Sequence, residues 1–366
     1  MSSPGLPRPE PQSPSLAGIL ASELEEFLVS WNEPAFRSRQ ILHWLYAMRC
    51  TRFSAMTNLS EALRDRLREN FRLRSLTTAR VQGSADATSK FLFRLDDGRF
   101  IESVLIPASE GAPGRRSPRR TLCVSSQIGC AYGCRFCASG LAGFARNLTA
   151  AEIVEQLLFA EQLSSRRVDN IVFMGMGEPL ANYDAVLRSI RIFNAQWGPN
   201  VGARQITVST SGLAPQIRTL AEEGLQIRLA VSLHGPTDEI REQIMPVNRR
   251  YPLAELQDAL DFFRSQRKQR ITFEYILIEG VNDEPAHARL LAALAHRTHA
   301  KVNLIPYNTV EGLSWRRPSL ARQHSFAAIL REHGCFATLR MEKGNDIDAA
   351  CGQLRLREEI SASLTA

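Results

Sequence analysis

The sequence predicts an α/β protein: a parallel sheet with right-handed crossovers, closed or partly closed into a barrel, behind a small helical domain and a β-hairpin. Three observations predict it. From residue 121 to about 345, short apolar runs alternate with amphipathic helical patterns, as βα units do. From Leu16 to Leu73 the apolar residues fall at helical spacing. From Lys90 to Pro107 they alternate about an Asp97–Gly98 turn. A chain of 366 residues has room for one large barrel-like domain and a smaller one.

Composition narrows the class. The 44% hydrophobic and 23% charged content is that of an ordinary globular protein, and no apolar run is long enough to span a membrane. The first residues hold no signal-peptide core, and three of the seven cysteines are clustered, so a reducing cytoplasm is expected rather than a disulfide framework. Lys+Arg 45 against Asp+Glu 38 gives +7, which permits an anionic partner without requiring one.

Taken in order, residues 1–15 are rich in Pro and Ser and read as a disordered tail. Residues 16–80 form the helical domain: Phe36, Ile41, Leu42, Trp44 and Leu45, then Leu63, Leu67 and Phe71, repeat at helical spacing. Arg37, Arg39, Arg64, Arg66, Arg68 and Arg72 lie among them. They fit a solvated face or a surface that neutralises RNA phosphates, and the sequence leaves both open. Residues 85–120 hold the hairpin and a Pro/Gly/Ser-rich basic linker with Arg115, Arg116, Arg119 and Arg120. On the return strand Glu102 shares a face with Phe100, Val104 and Ile106. Apolar surroundings would suit it to proton transfer, but a strand-edge carboxylate facing solvent is the simpler reading of the residues alone.

The barrel strands are expected at Leu122–Ser126, Ile171–Met174, Gln205–Ser209, Arg228–Leu233, Ile271–Leu277, Lys301–Pro306 and Ala337–Arg340. Helices such as Ala151–Leu163, Tyr183–Asn194, Pro215–Glu223, Leu253–Ser265 and Phe326–His333 lie between them. Chemistry in such barrels gathers at the C-terminal ends of the strands. There the sequence puts Gly175-Met-Gly-Glu-Pro179, Thr210-Ser-Gly212, His234-Gly-Pro236 and Asn308. Each is weak alone; on successive strands they reinforce one another.

Cys130, Cys134 and Cys137 stand in a C-x3-C-x2-C pattern after the first barrel strand. Three thiolates on so short a loop can converge on one soft metal centre. A structural zinc site would need a second ligand pair, and none follows at suitable spacing. A four-iron cluster takes four thiolates, so three leave one iron open to a substrate or cofactor. Two further cysteines have no metal partner. Cys123 lies on the strand entering this loop, and Cys351 sits in a Gly-bounded segment, residues 346–366, beyond the barrel. Either could be a small buried hydrophobe, the reading given to Cys50 and Cys335.

Cys-Val-Ser-Ser-Gln-Ile-Gly-Cys-Ala-Tyr-Gly-Cys-Arg-Phe-Cys, Gly-Met-Gly-Glu-Pro, Ser-Thr-Ser-Gly, Ser-Leu-His, Asn-Leu-Ile-Pro-Tyr-Asn and Asp-Ile-Asp-Ala-Ala-Cys-Gly-Gln-Leu together resemble the RlmN/Cfr family over about residues 30–355. Its members are radical S-adenosylmethionine (SAM) RNA adenine methyltransferases. The resemblance implies a partial (β/α)6-type barrel, a [4Fe–4S] cluster and SAM. It implies 23S rRNA, and tRNA as well, as partners, with an electron donor such as flavodoxin, a monomer and no membrane. Residue by residue, Cys130, Cys134 and Cys137 would hold the cluster. Gly177, Glu178, Ser209, Ser232, Leu233, His234 and Asn308 would contact SAM. Cys351 would accept a methyl group, Cys123 would resolve a protein–RNA adduct through a transient disulfide, and Glu102 would accept the ring proton.

The chain departs from the family pattern at Lys343 and Thr309 and in a longer arginine-rich loop before Cys123. Methylation at adenine C8 is the nearest rival to C2. A non-catalytic, cluster-bearing RNA-binding protein is another, against which retention of both Cys123 and Cys351 argues. A glycyl-radical activase would not need that cysteine pair.

Overall fold

The computed structural model describes residues 13–84, 87–108, 119–141, 143–308 and 313–340. The chain opens with a 3-10 turn, Leu16–Gly18, and three helices, α1 (Ala21–Ser30), α2 (Arg37–Tyr46) and α3 (Glu61–Asn70). Their inward faces are the predicted seams: Leu24 and Leu28, Ile41, Leu42 and Leu45, Leu63 and Leu67 are buried. Ser60 caps α3 by accepting from the Leu63 N–H at 3.2 Å. Most of the interspersed arginines have local duties. Arg37 donates to Gln40 and the Asn58 carbonyl, Arg64 to the Ser54 carbonyl, Arg66 to the Trp31 carbonyl, and Arg72 pairs with Asp96.

Among the described residues ten strands form one sheet, in the order β1-β2-β3-β4-β7-β8-β9-β10-β11-β12. The hairpin is β2 (Ser89–Arg94) and β3 (Phe100–Pro107), and an antiparallel third strand, β1 (Thr77–Gly83), lies outside it. The span assigned to the helical domain therefore ends in sheet. β1 is almost wholly exposed, so it carries no apolar alternation to read. The hairpin is no separate linker: β3 pairs antiparallel with β4 (Arg120–Cys123), the first of seven mutually parallel strands. After β4 come β5 (Gln127–Gly129), the short helix α4 (Ala138–Leu141), β6 (Phe144–Asn147) and α5 (Ala150–Ser164). Then β7 (Asn170–Phe173), α6 (Tyr183–Asn194), β8 (Ile206–Thr210), α7 (Ala214–Glu222) and β9 (Arg228–Ser232) follow. The series ends with α8 (Asp238–Ile244), α9 (Leu253–Gln266), β10 (Thr272–Leu277), α10 (Pro285–Arg297), β11 (Lys301–Pro306), α11 (Leu320–Glu332) and β12 (Ala337–Leu339). Six βα units and a seventh strand make an open α/β barrel. The last helix begins earlier than its apolar pattern predicts because its first turns face solvent: Leu320 is 69% exposed, and the apolar rhythm begins at Phe326.

β5 and β6 form a separate two-stranded ribbon that closes the neck of the Cys130–Cys137 loop. Gly129 has φ +74°, and a Cβ there would lie 1.8 Å from the Gly143 carbonyl oxygen, so only glycine lets the two arms meet.

α5 joins the pieces, because its buried face is polar. The Glu155 carboxylate accepts from Ser15 Oγ at 2.6 Å, the Ser75 N–H at 2.7 Å, Ser75 Oγ at 2.9 Å and the Leu76 N–H at 2.9 Å. These donors flank the helical domain on both sides. Gln156 accepts from Ser103 Oγ of β3 and from the Ser125 N–H just past β4. Glu161 pairs with Arg49, and Arg188 of α6 reaches Glu23 and the Gly18 carbonyl.

Removing one partner of a buried charged network strands the others without acceptors. Glu155→Ala is therefore expected to lower unfolding stability by about 3 kcal/mol. It should also make the chain near residues 70–76 cleavable under limiting protease. Wild-type urea midpoint and protection would show that the junction is held by something else.

Candidate active site at the barrel mouth

A cavity of about 370 Å³ opens at the C-terminal ends of the parallel strands. Cys123, Cys130, Cys134, Cys137, Gly177, Glu178, Ser209, Ser232, His234 and Asn308 all line it. Three of the expected residues stand apart. Leu233 is buried and absent from the lining; its N–H donates to the Glu274 carbonyl at 3.0 Å. Glu102 lies two residues from Val104, which does line the cavity, but its own carboxylate is buried. Cys351, with all of residues 346–366, lies outside the described residues, as do Arg115, Arg116, Thr309 and Lys343.

The cluster loop is stitched to the loop after β7. Gln127 Oε1 accepts from the Glu178 N–H at 2.8 Å, and Asn182 Nδ2 donates to the carbonyls of Ser126 and Leu148 at 2.8 Å each. Gly177 has φ +100°, and a Cβ there would come within 2.5 Å of Gln127 Cβ. Glycine is thus what lets the two loops touch. Glu178 accepts backbone N–H groups from Ser211 at 2.6 Å and Leu180 at 3.0 Å. Burial nevertheless keeps its carboxyl above the usual range.

Burial pushes the Cys130 thiol up to about 12, against a backbone hydrogen bond from Tyr132. Cys134 rises further, through burial and then through repulsion from Cys137 and Cys130. Three thiolates coexist here only against a bound cationic group. Among the described residues no group of three or more His, Cys, Asp or Glu side chains is placed to hold a metal ion as it stands. The thiols ring one cavity instead, which fits a multi-iron cluster whose cysteines bind separate irons. No disulfide forms among the described residues, and Cys123 is buried on β4.

Two residues matter here that sequence reasoning missed. Lys90 is fully buried and its Nζ lies 3.0 Å from Glu102 Oε2. That pair overturns the solvent-facing reading of Glu102. The signal was present: Lys90, the second residue of β2, runs directly into the buried Phe91, Leu92 and Phe93. Arg241 of α8 is fully buried and donates to the Ser211 carbonyl at 2.5 Å and to Asn248 Oδ1 at 2.9 Å, while its Nε has no partner among the described residues. Burial lowers it to about 10, with attraction to Cys134 working the other way. A positive charge is thus fixed near the thiol loop; nothing in the i, i+4 pattern of α8 marks it in sequence.

His234 has φ +57° and is buried. Its Nδ1 accepts from the Ile276 N–H at 3.0 Å, and its ring meets Phe136 edge-on at 4.6 Å between centroids. That bond fixes the neutral tautomer with the proton on Nε2.

The sequence model of the radical SAM superfamily matches residues 124–291, and that of the ribosomal RNA large subunit methyltransferase N-terminal domain matches residues 15–73. The site is that of a radical-SAM protein. A "Probable dual-specificity RNA methyltransferase RlmN" of Akkermansia muciniphila is 51% identical over 96% of this chain and 98% of its own. Another such protein, from Geobacillus kaustophilus, is 45% identical over 95% of this chain and 94% of its own. The crystal structure of a radical SAM methyltransferase from Sphaerobacter thermophilus superposes with a TM-score of 0.87 at 46% identity, covering 93% of this chain and 98% of that one. The chain belongs to the RlmN family of radical-SAM RNA methyltransferases.

Burial, and then the charge of Arg241, lower the His234 pKa from 6.5 to about 3. The unfolded chain therefore binds a proton that the folded one refuses, and stability falls as pH drops through 6.5 toward 3. Imidazole NMR should show His234 neutral from pH 8 down to 5, and His234→Gln should remove one proton from the acid dependence of unfolding. An imidazole titrating near its ordinary value would contradict the buried acceptor role.

Proposed function

We propose that this chain methylates C2 of an adenosine in RNA, in both 23S rRNA and tRNA, through an S-methylated Cys351 and with two SAM consumed per product. The observation that carries the reading is that Cys123, a buried cysteine, lines the same cavity as Cys130, Cys134 and Cys137. The likeness to relatives named dual-specificity RNA methyltransferases RlmN supports action on more than one RNA.

When bound, the cluster and SAM supply an electron and an adenosyl radical that takes hydrogen from an unactivated carbon. Everything else falls to the chain. Cys130, Cys134 and Cys137 hold the cluster, and Glu178, Ser209, Ser232, His234 and Asn308 hold SAM. Asn308 is steadied by Arg317, whose Nη2 donates to its Oδ1 at 2.6 Å. Cys351 accepts a methyl group from one SAM, giving the carbon that will join the ring. Once that carbon is bonded to adenine C2, the adduct must lose one proton and one electron to restore the ring: Glu102 takes the proton, with Lys90 beside it to hold the carboxylate, and the bound cluster would supply the one-electron acceptor. The Cys123 thiolate then attacks the sulfur of Cys351. The new S–S bond takes that sulfur, the carbon–sulfur bond breaks, and its electron pair stays with the nucleobase, which takes up a proton as methyladenine. A cellular thiol reductant must return the disulfide to two thiols, which suits a cytoplasmic location.

Cys123→Ala should still acquire the methyl group and attack RNA, then stall. A covalent protein–RNA conjugate should appear on denaturing electrophoresis of protein expressed in cells, and ribonuclease should shorten it. Cys351→Ala should give none. A conjugate on Cys351→Ala with free Cys123→Ala would reverse the two roles, and methyladenosine isomers resolved by mass spectrometry as C8 would move the reading to the other branch.

A further inference from the structure

Arg241 carries a charge that its hydrogen bonds do not need. It is fully buried, and its bonds to the Ser211 carbonyl at 2.5 Å and to Asn248 Oδ1 at 2.9 Å are ones a neutral amide could make. Among the described residues its Nε has no partner, and no carboxylate stands at hydrogen-bond distance from its guanidinium. Asp238, one turn earlier in α8, attracts it through space. The Asp238 Oδ1, however, is taken by Asn248 Nδ2 at 2.9 Å and the Leu253 N–H at 2.8 Å. A buried guanidinium without a counter-ion is costly unless something anionic comes to it.

Its surroundings say what that is. α8 leans on the cysteine loop, where the Arg135 N–H, one residue past Cys134, donates to the Ile244 carbonyl at 3.0 Å. A Cβ at Gly235 would lie 2.5 Å from the Arg241 backbone nitrogen, so α8 also packs directly on the loop after β9. Ser211 and Met245 both line the cavity; the first accepts from the guanidinium, and the N–H of the second donates to the Arg241 carbonyl at 2.6 Å. The charge therefore stands just behind the cavity wall. Two lining groups feel it: it attracts the Cys134 thiolate and disfavours a proton on His234.

The next step rests on the proposed function, in which Cys130, Cys134 and Cys137 hold a four-iron cluster. With three thiolates such a cluster is anionic as a whole, and one-electron reduction makes it more so. We infer that Arg241 is the buried counter-charge of that cluster, a residue that stabilises the reduced state and so sets the potential at which the cluster accepts an electron. It is no ligand and touches no reacting atom; it acts through the cluster.

The test is a redox titration, followed by electron paramagnetic resonance, of the anaerobically reconstituted full chain without SAM. Arg241→Lys and Arg241→Gln both shorten the side chain and keep a donor, but only Lys keeps the charge. Arg241→Gln should disfavour the reduced cluster at least tenfold, moving the midpoint about 59 mV more negative for one electron. Arg241→Lys should stay close to wild type. Iron content and melting temperature are read on every sample. A Gln variant that takes up no iron while the Lys variant loads fully would show the same need for charge at the loading step, and supports the inference. A Gln variant with the wild-type potential would overturn it. So would a Lys variant that shifts with the Gln variant or stays empty, because the guanidinium would then serve the fold through its shape. Wild-type protein that takes up no iron would instead sink the proposed function.

Discussion

Burial raises the cost of ionising Cys130 and Cys134, and each thiol's neighbours in the triplet raise it further. The barrel mouth is arranged around that constraint. The ribbon of β5 and β6 closes the loop, Gln127 and Asn182 fasten it to the loop after β7, and the Arg135 N–H donates to the Ile244 carbonyl at the end of α8. Arg241, with no carboxylate at hydrogen-bond distance among the described residues, adds fixed positive charge on the same side. Such a loop tolerates thiolates only with a cationic inorganic group among them, so the fold and the cofactor are energetically one problem.

The second organising feature is the buried polar face of α5. Helices that cover a sheet normally bury apolar side chains, yet here Glu152, Glu155, Gln156 and Glu161 are all buried. Each finds its own partners: Arg146 of the ribbon, the two ends of the helical domain, Ser103 of β3 with Ser125 just past β4, and Arg49. The helical domain is thereby tied to the helix that follows the cluster loop.

The parallel strands were legible because both faces of each are covered, which leaves continuous apolar runs bounded by glycine and polar residues. The cluster loop was legible because three cysteines within eight residues seldom fall so close without a metal centre to share. β1 was not, since an exposed edge strand has no pattern to show. Glu102 was ambiguous for a physical reason: strand alternation gives its face, while its buried partner Lys90 comes from the neighbouring strand. Arg241 reads in sequence as one charged residue among several on a short helix, and only its burial against Ser211 turns it into part of a site. Leu233 shows the opposite case, a residue inside a recognisable motif whose side chain packs into the core.

On the proposed function, the chemistry of the barrel mouth depends on the three cysteines carrying an iron–sulfur cluster with one iron open to SAM. Metal analysis with electron paramagnetic resonance of the anaerobically reconstituted, dithionite-reduced protein tests this most directly. The expected result is about four irons per chain and a reduced-cluster signal that changes when SAM is added, with both lost in Cys134→Ala. Stoichiometric zinc with no iron uptake, or a cluster signal indifferent to SAM, would contradict it.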